Sequence, residues 1–183
     1  PLAISLLTEA TDLDPGFAAG WAALAQAHTL MIYYETVDRD EGLKTAERMA
    51  LKALEIDPEN AAAHSALGDV YRDRYEWMKA RQSYLRALEL NPDDVEANEQ
   101  FAQMLWRTSH FEEALEYSSR AVELDPLSWL NLTVHAVLRY ATGDRRGGWN
   151  DMARGMSIGG GENFFALRHK INMAVSDGKI EEA

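Results

Sequence analysis

Arg86–Asp94 reads RALELNPDD, and Arg120–Ser128, 34 positions later, reads RAVELDPLS. The same interval before Arg86 reaches Lys52, which opens KALEIDPEN. The marker pair recurs at Asp14-Pro15, Asp57-Pro58, Asn91-Pro92 and Asp125-Pro126. Self-similarity at a fixed period of roughly 20 to 50 residues marks a solenoid, and about 34 residues is the length of one helix–turn–helix unit. The sequence therefore predicts an all-α chain of paired helices stacked in a right-handed superhelical solenoid. Scaffolds of that kind hold partners far more often than they make bonds.

The cleanest unit runs from Ala61 to Asp94 and carries Leu67-Gly68, Tyr71, Ala80, Tyr84, Ala87 and Pro92. Small residues such as Gly68 and Ala80 belong where the first helix (A) and the second (B) approach, with Tyr71 and Tyr84 filling the space beside them. Pro92 ends helix B because it cannot continue the i→i−4 ladder. Asn60, Asp94 and Ser128 each precede a helix A and read as N-caps. The next unit, 95–128, keeps Phe101-Ala102, Ala114, Ala121 and Pro126.

These residues form the L-G-x-x-Y, A-x-x-x-F and Pro pattern of tetratricopeptide repeats, which the whole chain resembles. The resemblance divides residues 1–183 into an orphan helix B (1–17), an extended repeat (18–60), repeats at 61–94 and 95–128, a degenerate repeat (129–163) and a partial one (164–183). Asp14-Pro15-Gly16-Phe17-Ala18, the lengthened first unit, Tyr75-Glu76-Trp77 with Ala80, and Leu124–Ser128 carry a closer resemblance. They resemble the C-terminal arrays of bacterial regulators, behind class III adenylate/guanylate cyclase domains or winged-helix DNA-binding domains. That resemblance implies a regulatory interaction module, with a cyclase's sensor or dimerisation arm and a self-assembly module as alternatives.

Two units depart from the period. Pro15 and Pro58 lie 43 apart, so the first unit holds nine extra residues, around Thr29 to Gly42. Adding them to helix A would lengthen it by roughly 13 Å and project Met31, Ile32, Tyr33 and Tyr34 as an apolar tip, a candidate interface. The fourth unit dissolves into Gly147-Gly148-Trp149, and Gly159-Gly160-Gly161 replaces its expected turn. That glycine run has no Gly-Lys-Ser/Thr after it, so it reads as an inter-repeat turn and not a phosphate loop.

Composition narrows the partners. The net charge is −12, which opposes nucleic acid and anionic membranes and favours protein partners with basic or mixed charge. With 46% hydrophobic residues the chain can fill a continuous core. It has no cysteine, no signal peptide and no apolar run of transmembrane length, and the expected location is cytoplasmic. Pro1 and Ile180-Glu181-Glu182-Ala183 both fall inside helical pattern, so the chain is expected to be a fragment of a longer protein that self-associates through its ends or the extended helix.

The expected site is the concave face lined by the A helices. The register places Asp69 and Arg72, then Glu96, Glu99, Gln103, Trp106 and Arg107, then Tyr140 on that face. Trp106 and Tyr140 stand 34 apart, at one level of neighbouring helices, and aromatic anchors dominate interface hot spots. The Lys and Asn of a carboxylate clamp are missing: Ala22, Gln26, Ser65, Asp69, Glu99 and Gln103 occupy those positions. His28, His64 and His135 fall on core positions, without the spacing of a metal pair. Glu112-Glu113 and Glu181-Glu182 read as first-turn acids favoured by the helix dipole. No nucleophile–base pairing follows from spacing. Neither catalysis nor a cofactor or metal is expected.

Overall fold

A computed structural model describes residues 2–33, 37–159 and 164–178. Among them are ten α-helices and no strand: α1 (Leu2–Leu13), α2 (Ala18–Tyr33), α3 (Arg39–Ile56), α4 (Ala61–Asp73), α5 (Trp77–Leu90), α6 (Val95–Arg107), α7 (Phe111–Leu124), α8 (Trp129–Ala141), α9 (Arg145–Ile158) and α10 (Phe164–Ser176). The chain forms two compact units, dividing between Pro92 and Asp93.

Side chains set the helix starts as the sequence requires. Asn60 Oδ1 accepts from Ala63 N, Asp94 Oδ1 from Ala97 N and Ser128 Oγ from Asn131 N, at 3.0, 3.0 and 3.2 Å. Each cap satisfies a backbone donor that has no partner within its helix. The marker aspartates fold onto their turns: Asp14, Asp57 and Asp125 accept from the backbone N–H two residues on, whereas the marker before Asp94 is Asn91. One contact also repeats above these turns. Trp21 Nε1 donates to Pro15 O and a ring nitrogen of His64 meets Pro58 O, both at 3.1 Å. His64 is thus a half-exposed turn clamp and not a core residue.

In the first unit α2 and α3 pair, α4 packs on both, and α5 closes on α4. Alanines make the close approaches, with Ala25, Ala50, Ala66 and Leu67 in one cluster and Ala22, Ala53 and Ala63 in the next. The extra residues do not make one long helix A. Helix α2 has 16 residues against 13 in α4, and α3 has 18 against 14 in α5, so both flanking helices grow. Asp38 accounts for this: it accepts from Glu41 N and starts α3 early. Nor is Ile32 part of an exposed tip. It is 9% exposed and packs with Val37, Leu43, Ala46 and Val70. Gly42 permits that packing, since a Cβ there would stand 2.5 Å from Ile32. Met31 is half-buried, whereas Tyr34 and the Tyr33 side chain lie outside the described residues. On α1, Leu2, Leu6 and Leu13 are exposed.

In the second unit α6 pairs with α7 and α8 with α9, while α10 rests on α8 and α9. The glycines of the fourth repeat, read as degeneration, belong to a full helix. Asp144 caps α9 by accepting from Gly147 N at 2.9 Å. A Cβ on Gly148 would lie 2.6 Å from Ala136 O, so glycine here lets α9 approach α8. Gly160 and Gly161 lie outside the described residues, as do Glu181, Glu182 and Ala183.

Candidate partner-binding site

The residues expected on one face meet different fates. In the first unit Asp69 is interior: 5% exposed, it accepts from Tyr84 Oη at 2.6 Å and pairs with Arg72 at 3.0 Å. Arg72 also donates through Nε to Asp73 at 3.1 Å and reaches Tyr84 Oη at 3.2 Å. Burial, followed by the nearby Asp69 carboxylate, pushes the Tyr84 phenol well above its ordinary range, so it stays a hydrogen-bond donor. The surface role expected for Asp69 is therefore corrected to a structural one. Its carboxylate fastens α4 to α5, because an acid at that depth must be paired.

In the second unit Trp106 and Tyr140 do come together. They line one cleft of about 320 Å³ with Val137, Arg168, His169 and Met173. Trp106 comes from the last turn of α6, Tyr140 and Val137 from α8, and the remaining three from α10. The same level on successive A helices produces this juxtaposition. Glu99 Oε1 accepts from Gln103 Nε2 at 2.8 Å, one turn along α6, while Glu96 and Arg107 are exposed.

Tyr140 is more than a rim. Its hydroxyl donates to Asp177 Oδ1 at 2.6 Å and also faces Met173 O at 3.2 Å. The hydrogen bond to Asp177 raises the Tyr140 phenol above its ordinary value. Asp177 takes two more donors, Trp149 Nε1 at 2.9 Å and Arg145 Nη1 at 3.0 Å. The cleft wall is thus fixed by a carboxylate just past α10 that gathers α8 and α9.

His169 was not singled out by the sequence reading, although the period marks it. Leu24, Leu67, Phe101, His135 and His169 occupy one repeat position, and His169 is 5% exposed between Trp106 (5.0 Å between ring centres) and Phe165 (4.6 Å). Its Nε2 is buried without a hydrogen-bond partner, and burial holds the imidazole below its ordinary pKa.

His135 sits in a line that spacing does not reveal. Its Nδ1 is 3.0 Å from Asp151 Oδ2, and its Nε2 is 3.2 Å from Ser119 Oγ. The Ser119 hydroxyl is committed to Leu115 O at 2.6 Å, and Asp151 also takes Arg139 at 2.8 Å. None of the three lines the Trp106 cleft. They tie α7, α8 and α9 together, which accounts for the arrangement without a reaction. Among the described residues no group of three His, Asp or Glu is placed to hold a metal, and no helix is long and apolar enough to cross a membrane.

Comparison with known proteins bears on the repeat fold. Tetratricopeptide-repeat family models match residues 49–82 and 95–126. The transcriptional regulator HilA of Salmonella typhimurium is 27% identical over 124 residues, 68% of this chain, and its Salmonella typhi counterpart matches equally. The chain spans 22% of the length of these curated relatives. A thermophilic tetratricopeptide-repeat protein of Thermus thermophilus superimposes with a TM-score of 0.70 at 13% identity, covering 91% of this chain and 87% of that one. PilF of Pseudomonas aeruginosa gives 0.73 at 22% identity, covering 96% and 75%. The structural likenesses speak for the fold alone.

Proposed function

The chain is a tetratricopeptide-repeat protein and hence a protein-interaction scaffold, and from that premise we propose that it binds a peptide segment in the cleft between α6, α8 and α10. The observation that carries this reading is the meeting of Trp106 and Tyr140 in one cleft with Val137 and Met173. A cleft of this size takes an apolar side chain, and aromatic anchors supply much of the energy of such contacts. Arg107 and Arg168, both exposed, set the polar rim, while Glu96 and Glu99 on α6 favour basic side chains in the ligand.

Panning a random peptide library on the chain tests this directly. The selected peptides should share a large apolar residue with basic neighbours. Their affinity for Trp106→Ala should fall by at least about thirtyfold, the equivalent of about 2 kcal/mol. Selected peptides that bind this variant as tightly as wild type would place the site elsewhere.

The likeness to a transcriptional regulator favours a compatible reading, in which the array is the interaction part of a regulator. In a reporter assay with the full-length protein, Trp106→Ala should then change transcript output at unchanged protein level. An unchanged transcript would count against it.

A further inference from the structure

The first unit holds a separate cleft of about 610 Å³, walled by Trp21 of α2 and by one face of α3. Its apolar surface comes from Trp21, Met49 and Leu51. The Trp21 indole N–H is already given to Pro15 O, so the ring offers the cleft apolar surface, and Leu51 beside it is 45% exposed.

Along the same wall Lys44, Arg48 and Lys52 follow one another at i, i+4 and i+8, the spacing that puts side chains on one helix face. All three are exposed. Lys52 pairs with Glu55 at 3.0 Å, and Glu47 is drawn away to Arg74 at 2.7 Å. Lys44 and Arg48 have no ion pair among the described residues. Glu47 and Glu55 line the same cleft, but each already faces a cation, so Lys44 and Arg48 are left as its unpaired charges among the described residues, in a chain of net charge −12.

We propose that this face of α3 docks an acidic amphipathic segment of another protein. An apolar side chain of that segment would seat against Trp21, Met49 and Leu51, with its carboxylates facing Lys44 and Arg48. Charge complementarity selects the occupant: a basic segment would be repelled at the mouth, and a purely apolar one would leave both cations unanswered. The net charge works against nucleic acid and anionic bilayers, which need far more positive charge than one helix face supplies. This site is independent of the Trp106 cleft.

The test uses the whole chain and a fluorescein-labelled helical peptide of glutamates with leucines at i, i+4 spacing. A second peptide carries lysines in place of the glutamates. Fluorescence anisotropy should show saturable binding of the acidic peptide only, weakening as salt rises. The exposed-site double variant Lys44→Glu/Arg48→Glu, checked for folding by circular dichroism, should lose binding by about tenfold or more. Leu51→Asp should lose it too, and Trp106→Ala should leave it unchanged. The proposal fails if the acidic peptide does not saturate at millimolar concentration or if the lysine peptide binds equally well. It also fails if charge reversal on α3 has no effect, including the case where Trp106→Ala abolishes binding instead.

Discussion

Tyr84 on α5 donates its phenolic hydrogen to Asp69 on α4 across 2.6 Å, and the Tyr84 ring lies over Gly68 on that same helix. The seam between the paired helices of this repeat therefore combines an aromatic ring seated on a glycine with a buried acid that needs the ring's hydroxyl. Tyr84→Phe keeps the packing and strips the donor. With only part of its pairing left, the Asp69 carboxylate should cost about 1–3 kcal/mol of stability in urea unfolding. Gly68→Ala places a methyl 2.7 Å from the ring of a fully buried Tyr84. Overpacking of about 1–3 kcal/mol should exceed the helix-propensity gain of about 1 kcal/mol. A neutral or stabilising Gly68→Ala would show that α4 and α5 are not held at this separation.

That seam shows what a repeat pattern can and cannot disclose. The small-against-large contact of Gly68 with Tyr84 was legible because both stand at pattern positions. Asp69 was misplaced because periodicity assigns a face and says nothing of depth, and its partner lies on a different helix. The period also brought Trp106 and Tyr140 to one cleft, although the grip of Asp177 on Tyr140 depends on where α10 packs. The extra residues near Thr29–Gly42 divide between α2 and α3 because Asp38 caps α3 through Glu41 N, a local start signal that the spacing of the marker prolines does not carry. At α9 the glycines resembled decay because their use, close approach to α8, requires knowledge of the neighbouring helix.

The turns between paired helices repeat in backbone as well as in sequence. Tyr75, Ser109 and Gly143 stand 34 apart and have φ of 62°, 64° and 102°. Only glycine adopts that left-handed region without a Cβ penalty. Gly143→Ala should therefore lose about 1 kcal/mol, while Ser109→Gly should gain up to about 1 kcal/mol. Tyr75→Gly should gain less than Ser109→Gly, because the Tyr75 ring meets Trp77 edge-on at 5.5 Å and that contact would go. Tyr75 itself is 70% exposed, so the loss concerns that pair alone. Thermal unfolding of the three variants gives the ranking, and a destabilised Ser109→Gly would contradict it.

Acid should weaken the fold through histidine. Burial, the leading cause in each case, holds His28, His135 and His169 below the ordinary imidazole value of 6.5. A folded state that binds the proton more weakly than the unfolded chain is stable above that value and loses stability as pH falls through it. Urea midpoints should accordingly fall between about pH 7.5 and 5.5. His169→Leu, which restores the residue type of Leu67 at that repeat position, should flatten the dependence. A midpoint that rises on acidification, or an unchanged slope in His169→Leu, would refute the assignment.

Binding and docking of α10 should separate at the Trp106 cleft, although Tyr140 contributes to both. Asp177 accepts from Tyr140, Trp149 and Arg145, so Asp177→Ala removes the acceptor shared by three donors and should speed hydrogen exchange along α10. Tyr140→Phe keeps the ring in the cleft and removes only the hydroxyl. It should cost about 0.5–1.5 kcal/mol of stability while affinity for panned peptides stays within about twofold, since the apolar anchor remains. Trp106→Ala should do the reverse. Trp106 is partly exposed and its indole packs on His169, so truncation removes the peptide's anchor while sparing most of the core. The affinity loss of at least about thirtyfold should come with the helical spectrum retained. If Asp177→Ala leaves α10 exchange unchanged, the carboxylate does not hold that helix. If Tyr140→Phe weakens peptides as much as Trp106→Ala does, the hydroxyl and not the ring is the recognition element.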